Sequence, residues 1–281
     1  MRRLIFAALL GGVLLVASKP GGAAPPSGGT DAPASSPGWM GAVLESKESS
    51  GGVRVARVIR TSPAEKAGLR EGDRILRIDA AKVSSAAEVV QILSRRGAGS
   101  VVALAVARGE AERVVSVTLA ARPTMEDIAR MEHVGTFAPA WGSLTPVAGQ
   151  VPASIQALRG KVALVEFWAT WCGPCRLTAP TLSAWQAKYG AQGLKVVGIT
   201  SDVPAVAALH AQRSGMGFAS AADESGDATK AYGVSSLPTL FVIDKRGVVR
   251  DVLVGYQPGQ EARTERLVQQ LLAEPAPSDG P

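Results

Sequence analysis

Cysteine and histidine are nearly missing from this sequence, with two of each in 281 residues. So few soft ligands exclude a network of disulfides, a four-cysteine zinc site and a zinc finger. Aromatic residues make up only 5% of the chain, and none falls between Trp39 and Arg122. That same stretch, residues 39–122, is the most basic part, with 14 basic and nine acidic side chains. Nucleic-acid recognition calls for a basic stripe, often with aromatics on which bases stack. Here the signs are mixed and the stacking groups are absent. The charge reads as a solvated face, and no nucleic acid is expected as a partner.

A long hydrophobic run is also lacking. Leu4–Ala17 holds 14 uncharged, mostly apolar residues, fewer than the ~20 a helix needs to cross a bilayer. Arg2 and Arg3 precede the run and Val16-Ala17-Ser18 follows it, which is the pattern of a signal peptide or anchor over residues 1–18. Residues 19–38 are rich in Pro, Gly, Ala and Ser and cannot repay the entropy of ordering, so a flexible linker is expected. The expected location is the periplasm or the outer face of the inner membrane. At the other end, residues 275–281 are expected to be a disordered tail.

Residues 39–122 alternate as half-buried strands do, over Val53–Ile59 and Arg74–Ile78. Ser62-Pro63 opens a short helix that Gly68 stops, and Ser85 with Glu88 predicts a capping box on a helix through about Arg95. Two more strands, Val101–Ala107 and Arg113–Leu119, flank a turn at Arg108-Gly109-Glu110. The run Ser62-Pro63-Ala64-Glu65-Lys66-Ala67-Gly68-Leu69, continued by Gly72-Asp73-Arg74-Ile75, resembles the PDZ domains of bacterial envelope proteins. That resemblance implies a carboxylate-binding loop at Met40, Gly41 and Ala42, with a partner peptide or carboxy-terminal tail added as a strand beside Val43–Leu44. A spacer or dimerisation module is the alternative.

Both cysteines fall in the third part. Lys161–Trp168 is a nearly continuous apolar run, the mark of a central strand buried on both faces. Ala169-Thr170-Trp171-Cys172-Gly173-Pro174-Cys175-Arg176 follows, and then a helical stretch to about Tyr189. Cys172 would sit at a helix amino terminus, where free N–H groups favour thiolate, with Cys175 one turn further in. A pair of this spacing is open to three readings: a redox couple, a structural disulfide, or half a metal site. Only His133 and His210 could complete a metal site, and His210 is expected to face solvent. Haem attachment needs histidine where Arg176 stands.

The run Phe167-Trp168-Ala169-Thr170-Trp171-Cys172-Gly173-Pro174-Cys175-Arg176, together with Tyr232–Asp244, resembles the thioredoxin-like reductases of the cell envelope, including those of cytochrome c maturation. The resemblance covers about residues 135–274, with 123–134 as a connector. It implies an α/β fold with a central mixed sheet flanked by helices, preceded by the small β-rich module. It implies a catalytic pair Cys172 and Cys175, a cis-proline at Pro238, and substrate contacts at Trp171, Gly173, Pro174 and Leu237. Glu166, amid apolar neighbours, takes the place of a buried acid and becomes the proton acceptor for Cys175; a solvated glutamate at a strand edge is the alternative. Thr178 departs from the pattern, since the maturation enzymes often carry an acid shortly after the cysteines.

These implications converge on protein thiol-disulfide exchange in the reducing direction. The partners would be a protein disulfide and a membrane-bound or periplasmic thiol donor, with no metal and no cofactor. Two alternatives remain open at this point: a disulfide-forming oxidant, and a PDZ-based adaptor that uses the second fold only for binding.

Overall fold

A computed structural model describes residues 36–45 and 51–277; the expected export signal, most of the linker and the last four residues lie outside the described residues. Among the described residues no helix is long and apolar enough to cross a membrane.

The first domain contains β1 (Gly38–Trp39), β2 (Ala42–Leu44), β3 (Val53–Val58), α1 (Pro63–Lys66), β4 (Arg74–Ile78), β5 (Ala81–Lys82), α2 (Ala86–Arg95), β6 (Val101–Arg108), β7 (Ala111–Thr118) and β8 (Ala120–Ala121). Its antiparallel sheet runs β2-β3-β4-β6-β7, with β5 on β4, while β1 pairs with β8 and ties the two ends of the domain together. Alternation does the folding. Val53 and Val55 are fully buried while Arg54 points out, and Ile75, Leu104, Val106 and Val117 meet them in one core. Each such side chain contributes roughly 2 kcal/mol of burial.

Two local features set the loops. Ser62 caps α1 by accepting the Glu65 N–H at 3.2 Å, and Ser85 accepts the Glu88 N–H at 3.3 Å. The expected reciprocal bond is displaced by one residue: the Glu88 carboxylate takes the Ser84 N–H at 2.7 Å and the Ser84 hydroxyl. Asp73 is buried, and its carboxylate accepts from Arg108 Nε and Nη2, each at 2.7 Å, and from the Arg70 N–H at 2.8 Å. Desolvation alone would raise its pKa, but the Arg108 and Arg70 donors override this and hold it below the usual range.

A helix then leads on, α3 (Met125–His133), capped by Thr124 and Asp127 reciprocally. The second domain follows with β9 (Thr145–Ala148), β10 (Val162–Trp168), α4 (Cys175–Tyr189), β11 (Leu194–Thr200), α5 (Pro204–Arg213), β12 (Ala219–Ala222), α6 (Asp227–Ala231), β13 (Thr239–Ile243), β14 (Val249–Val254) and α7 (Gln260–Ala273). Its sheet order is β14-β13-β10-β11-β12-β9; β10, β11 and β12 are parallel and the others antiparallel to their neighbours.

All seven residues of β10 are buried, which is why its sequence shows no polar alternation. The period of two still sorts them. Ala163, Val165 and Phe167 face the cluster of Tyr232, Ala228 and Ala129. Val162 and Leu164 face Leu182, Trp185 and Tyr189 of α4 and Val268 and Leu271 of α7. By the same alternation Glu166 belongs to the face under α4.

Candidate active site

The site is built where β10 ends and α4 begins. Cys172 and Cys175 form a disulfide, with sulfurs 2.03 Å and Cα atoms 5.3 Å apart. Cys175 is the first residue of α4, so its N–H has no partner within the helix; it points at Cys172 Sγ, 3.2 Å away. When the bridge opens, that donor and the helix dipole favour a Cys172 thiolate. Pro174 stands just before the helix as its N-cap, where no N–H is required. Gly173 and Pro174 are exposed, while Cys172 and Cys175 are each only 4% exposed. Asp202 secures the loop by accepting the Thr170 N–H at 2.6 Å.

Below the pair lies Glu166, 1% exposed. Positions 175, 178 and 182 share one face of α4, so Thr178 is brought over the strand residue that faces the helix. Its hydroxyl bonds Glu166 Oε1 and lies 3.0 Å from the Cys175 carbonyl oxygen. Burial pushes the Glu166 pKa up to about 8, with the Thr178 hydroxyl pulling the other way. The single Thr178 hydroxyl proton has two acceptors in reach, the Glu166 carboxylate and the Cys175 carbonyl, and where it goes to Glu166 it favours the ionised acid.

A cavity of about 160 Å³ opens beside these groups, lined by Glu166, Cys175, Trp168, Arg176 and His210 among others. His210 is half-buried, its ring 5.6 Å from that of Trp168. The expectation of a histidine in solvent is therefore corrected: α5 packs Ala207 and Ala211 inward, and the turn that carries His210 comes over Trp168. Trp168 itself is buried and donates to Ser220 Oγ at 3.0 Å. Trp171, by contrast, is 70% exposed.

The bond between Leu237 and Pro238 is cis. Leu237 packs against the apolar cluster that contains both cysteines. The Pro238 carbonyl accepts the Gly255 N–H at 2.7 Å, whereas the backbone of Leu237 makes no hydrogen bond among the described residues. A groove lined by Trp171, Val234, Ser235, Ser236 and Leu237 runs past it. An extended peptide can pair there with its own backbone.

In the first domain, the Met40 carbonyl accepts the Ala64 N–H at 2.7 Å, and the Gly41 carbonyl accepts the Ile59 N–H at 2.9 Å and the Ser62 hydroxyl at 3.1 Å. In a trans peptide the N–H points opposite to the C=O. The N–H groups of Gly41 and Ala42 therefore point away from the residues that bind those carbonyls. Gly41 has φ of +86°, and a Cβ there would lie 2.2 Å from that of Ser62. No larger residue fits.

Residues 134–252 match the AhpC/TSA family and residues 38–119 match the PDZ domain. The chain joins a PDZ domain to a thioredoxin-like domain of the AhpC/TSA family. It is 35% identical over 98 residues to the thiol-disulfide oxidoreductase ResA of Geobacillus thermodenitrificans, a match covering 34% of this chain and 56% of that protein. It is 32% identical over 158 residues to protein DipZ of Mycobacterium bovis, covering 53% of this chain and 22% of DipZ. The chain thus spans little more than half of the ResA protein and less of DipZ. Among solved structures, the thiol:disulfide interchange protein, thioredoxin family protein, of Chlorobium tepidum is 31% identical, covering 49% of this chain and 97% of that one, with a TM-score of 0.42.

Within the thioredoxin-like domain the structure brings together Cys172, Cys175, Glu166 and Leu237, with Pro238 next in the chain and buried, and Trp171, Gly173 and Pro174 exposed at the surface. Met40, Gly41 and Ala42 form part of the PDZ domain instead. Sequence reasoning missed Thr178 as a partner of Glu166. The signal was present: a hydroxyl three residues after Cys175, on the face turned toward the sheet.

Proposed function

We propose that this protein is an extracytoplasmic thiol-disulfide oxidoreductase that reduces protein disulfides with the Cys172/Cys175 dithiol, while its PDZ domain recruits a partner. The observation that carries this reading is the cysteine pair at the start of α4, stacked over a buried acid. Cys172 thiolate attacks one sulfur of a target disulfide, and the other target sulfur leaves as a thiolate. Cys175 then loses its proton to Glu166 and attacks Cys172, expelling the second target thiolate. The target gains two electrons and the Cys172–Cys175 bond carries the oxidation. A carboxylate with a pKa of about 8 is well matched to a thiol near 8.5, so the transfer is close to balanced. The cavity lined by His210 and Arg176 gives Glu166 a way to return the proton to water.

Location and partners extend the same reading. Residues 1–18 would export or anchor the chain, the thiol donor would be periplasmic or membrane-bound, and cytochrome c maturation is the kind of task it suits. The outward N–H groups of Gly41 and Ala42 would receive the carboxylate of a partner's tail, and the free edge of β2 its last residues. Two measurements test the activity. Cys175→Ser should trap a covalent mixed disulfide with substrate, and Cys172→Ser should abolish turnover; function that survives replacement of both cysteines leaves the PDZ adaptor as the better account. A reduction potential near about −270 mV supports a reductase, whereas one near about −120 mV reverses the direction.

A further inference from the structure

We propose that the cleft between the two domains holds an acidic stretch of the polypeptide whose disulfide is reduced at Cys172, an inference that rests on the activity proposed above. The cleft is about 480 Å³ in volume. Arg57 and Arg60 line it from the PDZ domain, Glu132 and His133 from α3, and Lys230 and Gly233 from the thioredoxin-like domain. Arg57 pairs with the Glu132 carboxylate. Arg60 donates to the Glu132 carbonyl at 2.9 Å and has no acidic partner among the described residues. Lys230 has none either among the described residues. Burial, with Arg57 and Arg60 nearby, holds the His133 pKa below its ordinary range, so the imidazole is neutral at pH 7 and adds no charge. Two exposed cations face the cleft without compensation, a field that draws an anion.

Position decides which anion. The segment that leaves α6 is shared: Gly233 belongs to the cleft, and Val234 to Leu237 wall the groove beside Trp171. A peptide paired with the free backbone of Leu237 and extended along that wall advances ~3.3 Å per residue. Acidic side chains further along such a peptide from its reacting cysteine would then lie toward the cleft that Arg60 and Lys230 line. A free small anion would satisfy the charge, but it would use neither the length of the wall nor its continuity with the disulfide.

The test uses the exported chain with dithiothreitol as reductant and two synthetic disulfide peptides that differ only in a Glu-rich or Lys-rich flank. At low ionic strength the Glu peptide should have the higher kcat/KM by about fivefold, from two exposed charge pairs. In the Arg60→Glu, Lys230→Glu double variant the order should reverse. Because the readout is the ratio within one protein, any general loss of activity cancels. A ratio that is the same in both proteins overturns the cleft proposal. Hydroxyethyl disulfide, too small to reach the cleft, separates the two claims: if the unmodified chain cannot reduce it or either peptide, the oxidoreductase reading itself fails.

Discussion

Glu166 is placed at a cost to stability, and the pH dependence of that cost can be measured. In the unfolded chain its carboxyl returns to its ordinary 4.5, while in the folded, disulfide-bonded protein it stands at about 8. Between those values the native state binds the extra proton, so stability is fully present below about pH 4.5 and is lost as pH rises through about 8. Glu166→Gln removes the titration, and denaturant unfolding of the oxidised protein at pH 8 should show a gain of about 4 kcal/mol that shrinks to below about 1 kcal/mol at pH 5. A variant no more stable than the parent at pH 8 would show that the acid is already charged at little expense. Thr178 adjusts the same group from the opposite side. Thr178→Val deletes the hydroxyl that favours the carboxylate, so the pH at which mixed-disulfide resolution is half-maximal should rise by about one unit. Thr178→Ser should restore it. A change in stability alone, with no movement of the pH profile, would reduce Thr178 to packing.

In the PDZ domain the turn Glu71-Gly72-Asp73 is held to β6 by one ion pair, Asp73 with Arg108. Asp73 is buried and Arg108 is about a quarter exposed, so replacing the cation strands a carboxylate that water reaches poorly. Arg108→Met should lower the stability of the domain, by less than the loss of a wholly buried pair because part of the guanidinium is already solvated. Urea unfolding measures it. This element was legible in the sequence because a short turn, Gly72-Asp73, precedes an alternating strand. β10 was equally legible from its unbroken apolar run, and α4 from the Gly-Pro and cysteines at its start. β12 was not. Its residues, Ala-Ser-Ala-Ala, have weak strand preference, and it is a strand because β11 pairs with it along one edge and β9 along the other. β9 carries Pro146, a poor strand residue in general; it lies at the sheet's edge, where a proline is tolerated. What escaped the sequence was long-range pairing, and with it the contact of His210 with Trp168.

The two domains meet through polar contacts and keep separate cores. The PDZ core draws only on residues 40–119, and the buried clusters of the thioredoxin-like domain begin at Ala138. The helix between them sides with the second: Arg130 pairs with Asp251 at 2.7 Å and Glu126 accepts the Val254 N–H at 3.1 Å. Among the described residues, what crosses to the PDZ domain is the Arg57–Glu132 pair and the bond from Arg60 to the Glu132 carbonyl. Exposed contacts of this kind contribute at most ~1 kcal/mol each, against the several kcal/mol that hold an average domain folded. The expected calorimetric trace of the oxidised protein therefore has two transitions. At pH 8, Glu166→Gln should raise one and leave the other in place, and Arg108→Met should lower only the other. A single transition displaced by both substitutions would mean that the interface carries far more energy than its ion pairs. In that case a peptide loaded on the PDZ groove would also stabilise the redox site. With two transitions the two domains are energetically separate, and the recruitment proposed for the PDZ domain would act by raising the local concentration of substrate near Cys172.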